Sequence, residues 1–171
     1  MKIAVLGNGA SRNFFTDPSR YDYLIGCNIP WTEVDANVII DEEMDNFWYQ
    51  TRTKYAYHYP TFFSKKAWMK VQDLRAQDYF TPFLKEIVSI YEGVDSSAHV
   101  AVKCALKMGA QEINIYGCDS RFTDSIASRT HEYINNKSPN KRITIDMWNR
   151  EWVAVIERHP EVKITFIGEK L

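Results

Sequence analysis

Apolar residues along the chain fall into short runs separated by polar turns, and these runs set the element pattern. Ile3 to Gly7 is an apolar run that ends in Gly7-Asn8-Gly9 and Ser11, the pattern of a buried parallel strand running into a tight loop. Further strands are predicted at Tyr21 to Cys27, ending in Asn28, and at Ala36 to Ile40, ending in Asp41-Glu42-Glu43. Glu112 to Gly117, ending in Cys118-Asp119, and Val162 to Ile167 read the same way. Lys54 to Tyr59 alternates as a short aromatic strand stopped by Pro60. Phe83, Ile87 and Ile90/Tyr91 recur at helical spacing, which predicts a helix from Pro82 to Tyr91, broken by Gly93. Asp95-Ser96-Ser97 has the side-chain oxygens of a helix start. The helix behind it runs to Met108, with Ala98, Val102, Ala105 and Leu106 as its buried stripe and Gly109 as its stop. Asp146 to Arg158 is amphipathic, with Trp148, Trp152, Val155 and Ile156 on one face, and His159-Pro160 ends it. Between these elements, Ser120 to Arg142 is polar and contains Pro139.

Strands alternating with helices predict an α/β fold, a Rossmann-like three-layer sandwich with a mostly parallel sheet. The 171 residues suit a single domain, residues 1–171. Residues 46–92 break the regular alternation, and their richness in aromatics predicts a small helical insertion or lid. A net charge of −1 gives no electrostatic reason to expect nucleic acid or an anionic membrane. The N-terminal apolar run is too short for a signal peptide, and no segment reaches the roughly 18 apolar residues of a membrane span. Cys27, Cys104 and Cys118 are an odd, scattered set without CxxC spacing. They read as reduced thiols of a cytoplasmic protein, with Cys27 and Cys118 as small core fillers.

The candidate chemistry sits where strands end, because ligands of open α/β sheets lie outside the carboxyl ends of the strands. Gly7 and Gly9 would let a phosphate or sugar approach the backbone. Arg12 stands where GxGxxG needs its third glycine, so the dinucleotide fingerprint is broken, and no P-loop is present. Asn8 and Asn28 can both donate to and accept from a base, ribose or phosphate, or can simply form turns. Ser96 and Ser97 open a helix whose N–H groups suit an anion, although capping alone would also explain them. Asp119 is a candidate for a ribose hydroxyl or a metal, or caps a turn. Arg121, Arg129, Lys137, Lys141 and Arg142 make the stretch after Asp119 basic: a flap over phosphates, or a solvated loop. His131 within it is the candidate general base or acid. His99 and His159 read as structural. The aromatic run Phe47 to Trp68, interleaved with lysine and arginine, reads as the core of a lid rather than a base-stacking surface. No His/Cys ligand set accompanies Asp41, Glu42, Glu43 and Asp45, so no metal site is assigned.

Three segments, AVLGNGAS, IGCN and SSAHVAVKCALKMGAQEINIYGCDSRF, together resemble the bacterial CMP-sialic-acid-dependent sialyltransferases and the related 6-hydroxymethylpterin diphosphokinase-like proteins. The match is partial and keeps the family's order. The resemblance implies that Asn8 and Gly9, Asn28, Ser96 or Ser97, and Gly117 with Asp119 line a cytidine nucleotide. Ser11 and Arg121 belong to the same segments. The family's catalytic histidine follows the GxD strand, where this chain has His131 at a different spacing. Near the family's tyrosines it has Phe122, with Tyr133 further on. Nucleotide binding therefore carries over more directly than sugar transfer. The expected function is binding of a nucleotide or nucleotide-sugar, as a sialyltransferase-like glycosyltransferase that requires no cofactor. The alternatives are an ATP-dependent pyrophosphoryl transferase using Mg²⁺ at Asp41, Glu42 or Asp119, and a non-catalytic sequestering protein. A homo-oligomer through the aromatic segment is also open.

Overall fold

The computed structural model describes residues 1–126, 128–134 and 141–168. Lys137 and Pro139 lie outside the described residues. Seven strands form one sheet: β1 (Lys2–Leu6), β2 (Tyr23–Cys27), β3 (Ala36–Ile39), β4 (Thr61–Ser64), β5 (Leu84–Val88), β6 (Glu112–Tyr116) and β7 (Lys163–Phe166). Their order across the sheet is β5-β4-β3-β2-β1-β6-β7, and every pairing is parallel. The described α-helices are α1 (Glu42–Gln50), α2 (Lys65–Asp73), α3 (Gln77–Phe80), α4 (Ser97–Lys107) and α5 (Lys141–Arg158). None is long and apolar enough to cross a membrane.

The chain steps outward from β1 to β5, then returns to lay β6 on the other side of β1. Crossovers between parallel strands are right-handed, so reversing direction moves the connecting helices to the opposite face. Side-chain alternation along the strands displays this. Ile3, Val5, Ile25, Cys27, Val38, Phe62, Ile113 and Ile115 pack with Ala98, Val102 and Ala105 of α4 and Trp152 and Val155 of α5. Neighbouring positions face the other way. Ile39 and Phe63 pack with α1, α2 and α3 through Met44, Trp48, Ala67, Val71 and Phe80. Ala4, Leu6, Leu24 and Tyr116 enclose Phe15.

The expected boundaries of α4 are met by local hydrogen bonding. Ser96 caps its start, and Gly109 (φ 89°) ends it with Gly109 N–H on the Leu106 carbonyl and Ala110 N–H on that of Ala105. Two expected elements are corrected. Residues 82–91 are not a helix, because Leu84–Val88 pairs with β4 as an edge strand. Its alternation of half-buried Leu84, Glu86 and Val88 with exposed Lys85 and Ile87 is the period of a strand. Lys54 to Tyr59 is not a strand, because sheet pairing begins only at Thr61, after Pro60. Here Tyr57 and Tyr59 turn into the second core, where Trp48, Tyr57, Phe80 and Phe83 meet edge to face. The aromatic segment supplies α1, α2 and α3 and also β4 and β5, which continue the central sheet. The last helix begins at Lys141, a turn earlier than expected.

Candidate functional site

The reversal between β1 and β6 opens a crevice at the carboxyl ends of the strands, the position where doubly wound sheets hold ligands. A cavity of about 590 Å³ occupies it, within the ordinary range for small-molecule sites. Gly7, Asn8, Gly9, Asn28, Ser96, Ser97, Gly117, Asp119 and His131 all line it. Ser11 and Arg121 do not.

The glycines are required by one another. Gly7 N–H donates to the Tyr116 carbonyl at 2.8 Å and Gly9 N–H to the Gly117 carbonyl at 2.9 Å. A Cβ on Gly9 would lie 2.7 Å from the Gly117 oxygen and 2.8 Å from the Asp119 carboxyl carbon. Gly117 has φ 72°, and a Cβ there would lie 2.3 Å from the Gly7 oxygen. Ser11 clamps the same junction, its N–H donating to Asp119 Oδ1 at 3.0 Å while its Oγ accepts from Gly117 N–H. The two strand-end loops are thus locked together, and one oxygen of Asp119 is spent on that lock.

Asn8 is buried and donates through Nδ2 to the Cys27 carbonyl at 2.7 Å, tying β1 to the end of β2. Asn28 adopts a left-handed backbone, φ 60°. Its carbonyl accepts from Asn37 Nδ2 and Trp48 Nε1, and its Oδ1 accepts from the Ser97 hydroxyl at 3.0 Å. Among the described residues nothing takes the hydrogens of its Nδ2, so it keeps a donor for a ligand.

The first turn of α4 faces the cavity through Ser96, Ser97 and Ala98. Helix N-termini present N–H groups without intrahelical partners, and the dipole favours an anion there. His99 fixes this turn. Its Nε2 donates to the Trp148 carbonyl at 3.0 Å, so its Nδ1 is bare and accepts from the Ser96 N–H and hydroxyl. Burial pushes the imidazole down to about 4, and it stacks on Trp152 at 3.8 Å. His99 is a neutral structural brace.

Across the cavity, Lys66 stands 3.7 Å from Glu92. The Asp41 carboxyl is raised above its ordinary range by burial and then by Glu43. Cys27 and Cys118 touch the cavity, but burial pushes both thiols up, Cys118 to about 12. Neither is a nucleophile near neutrality.

The segment after Asp119 closes the other side. Arg129 N–H donates to the Asn8 carbonyl at 3.0 Å and its Nη1 to the Ile29 carbonyl at 2.6 Å, while Tyr133 rests against Phe47. Thr130, His131 and Ile134 of this segment line the cavity, and Thr130 Oγ1 is buried without a partner. His131 is exposed, and its Nδ1 accepts from Ser128 N–H at 3.4 Å. The flap's arginines are engaged elsewhere. Arg121 donates to Asn149 and lies over the Phe166 ring, and Arg142 pairs with Asp124. Among the described residues, Lys66 is the Lys or Arg that lines the cavity.

Sequence reasoning did not find Lys66, Thr130 or Trp148. Lys66 had a readable signal: the apolar run Thr61 to Phe63 followed by the Ser64 cap, whose Oγ accepts from Ala67 N–H, is another strand-to-helix junction. Trp148 had none, because its helical spacing predicts the buried face. It lines the cavity, while Trp152 and Val155 fill the core. Among the described residues no group of three or more His, Cys, Asp or Glu is arranged to hold a metal. No family model, curated protein or solved structure matches the chain.

Proposed function

We propose that this protein is a Rossmann-like domain that binds a nucleotide or nucleotide-activated sugar in the cavity at the strand ends. The observation that carries the reading is the convergence there of two interlocked glycine loops, the free amide donor of Asn28 and the first turn of α4. The ligand's phosphate lies at that turn, where N–H groups and the helix dipole offset its charge. Asn28 Nδ2 donates to the base or ribose, and the outer oxygen of Asp119 accepts from a ribose hydroxyl. In a sialyltransferase-like glycosyl transfer, His131 at the rim takes the proton of an acceptor hydroxyl, whose oxygen bonds the sugar's anomeric carbon as the bond from that carbon to the nucleotide phosphate breaks and the nucleotide leaves. The test is calorimetric titration with CMP, CDP, UDP, ADP, ATP and CMP-sialic acid, each with and without Mg²⁺, followed by donor-hydrolysis assays. Metal-independent binding of a cytidine nucleotide with turnover abolished in His131→Ala supports the transferase. ATP binding that requires Mg²⁺ replaces it with pyrophosphoryl transfer, Asp41 and Asp119 being the carboxylates available to the metal.

One observation favours a second reading, a protein that binds and holds its ligand unchanged. Stabilising a departing phosphate requires cationic or hydrogen-bonding groups aimed at it. Arg121, Arg129 and Arg142 are held by Asn149, Ile29 and Asp124 instead. Recovery of intact donor after prolonged incubation with the protein supports this reading.

A further inference from the structure

We infer that Trp148 is the stacking platform for the ligand's planar ring, so that the cavity selects a molecule with an aromatic base beside an anionic group. This rests on the nucleotide reading of the cavity and adds the residue that holds the base. Four of the five tryptophans are committed to the protein itself. Trp31 donates to the Gly7 carbonyl and meets Phe15, and Trp48 donates to the Asn28 carbonyl and meets Tyr57. Trp68 packs on Phe63, and Trp152 stacks on His99 and meets Phe166. Trp148 belongs to none of the three hydrophobic clusters and, among the described residues, has no ring partner and no acceptor for its indole N–H. It lines the cavity, where among the described residues it is the one Trp, Tyr or Phe.

Its position relative to the anion site is fixed. The Trp148 carbonyl receives His99 Nε2–H, and the opposite nitrogen of that imidazole receives the N–H and hydroxyl of Ser96, the cap of α4. One wholly buried ring therefore spans the indole-bearing residue and the first turn of α4. An aromatic platform so near a helix N-terminus suits a ligand whose planar ring and phosphate are close together, as in a nucleoside monophosphate or the nucleotide half of a nucleotide-sugar. Stacking does not distinguish bases strongly, because every base has a π face. Choice among bases then falls to edge donors such as Asn28 Nδ2.

The test compares CMP, AMP and ribose 5-phosphate on wild type, Trp148→Ala and Trp148→Phe, read by calorimetry and by intrinsic fluorescence. Removing a stacking ring weakens base binding by about 5- to 150-fold. Trp148→Ala is expected to lose that much for the nucleotides and nothing for ribose 5-phosphate, and Trp148→Phe is expected to restore most of it. Nucleotide binding is expected to quench fluorescence in wild type and to leave Trp148→Phe unquenched, a readout that holds even if the alanine variant folds poorly. Wild-type nucleotide affinity in Trp148→Ala, or an equal quench in Trp148→Phe, overturns the platform and leaves the nucleotide reading standing. Equal losses for ribose 5-phosphate and nucleotides assign Trp148 to cavity shape alone and also overturn it. A wild type that binds ribose 5-phosphate but no nucleotide, or binds none of the three, overturns the nucleotide reading and this inference with it.

Discussion

Asp45 gives the protein a stability that falls as pH rises, opposite to the usual effect of a carboxylate. It sits in the first turn of α1, is wholly buried, and has no hydrogen-bond partner on either oxygen. Burial first, and then the charges of Glu42 and Asp41, raise its carboxyl to about 9 against an ordinary 3.8. An ionised aspartate near a helix N-terminus gains only about 0.3–1 kcal/mol from the dipole. Desolvation outweighs this, so Asp45 is protonated in the folded protein at neutral pH. The unfolded chain releases that proton from about pH 4 upward, and the folded chain holds it until about pH 9. The contribution is therefore fully present below pH 4 and declines by about 1.4 kcal/mol per pH unit through the window between the two values. By pH 7 the loss is about 4 kcal/mol. Asp45→Asn keeps the shape and the unpaired polar atoms but removes the titration. It is expected to be more stable than wild type by about 4 kcal/mol at pH 7, a rise of roughly 8–16 °C in melting temperature at this chain length. The assay is urea unfolding of both proteins between pH 5 and pH 8.5, because the difference between them isolates this one group. A gap that widens by about 1.4 kcal/mol per unit supports the reasoning. A gap that stays constant with pH refutes it, because Asp45 would then carry the same charge folded and unfolded.

The interlock of the glycine loops predicts that Gly117→Ala destabilises the ligand-free protein by about 3 kcal/mol or more, through the positive φ and the contact with the Gly7 oxygen. A wild-type urea midpoint would contradict it. Lys103 bridges Asp95, whose side chain is wholly buried, and Glu151. Lys103→Met is expected to cost about 3 kcal/mol, and adding Asp95→Asn should recover part of that, as a double-mutant cycle in denaturant will measure. Burial raises the thiols of Cys27, Cys104 and Cys118, the last two to about 12. Disulfide reagents at pH 8 are therefore expected to label the native protein at least about a hundredfold more slowly than the urea-unfolded chain, with equal rates as the contrary result.

Much of the fold was legible because its signals are local. A strand buried on both faces must be apolar at nearly every position, so β1, β2, β3 and β6 stand out as short runs. The α4 helix carries its own start and stop in Ser96 and Gly109. The location of the cavity was legible too, since parallel strands bring their carboxyl ends to one edge whatever their order. Two edge-related elements were not legible. Leu84–Val88 exposes Ile87, so its apolar residues fit helical spacing as well as a strand, and only pairing with β4 decides between them. Tyr57 and Tyr59 alternate like a strand, yet Tyr57 meets rings contributed by α1, α3 and the turn before β5, and Tyr59 packs on Tyr57.

Local sequence signals sufficed for the α/β alternation, the strand-end loops and most of the cavity wall, though not for Lys66, Thr130 or Trp148. What each residue of that wall is free to do depends on its partners in the folded chain. Gly7, Gly9 and Gly117 read as room for a ligand, but in the fold they make room for each other. Arg121 and Arg129 read as phosphate cover and are held by Asn149 and Ile29. Trp148 and Trp152 share a helical stripe, yet one is core and the other faces the cavity. The physical reason is that periodicity fixes the side of an element on which a residue lies, whereas its hydrogen-bond and packing partners come from segments distant in the chain. A donor, charge or ring is available to a ligand only if those partners leave it unspent.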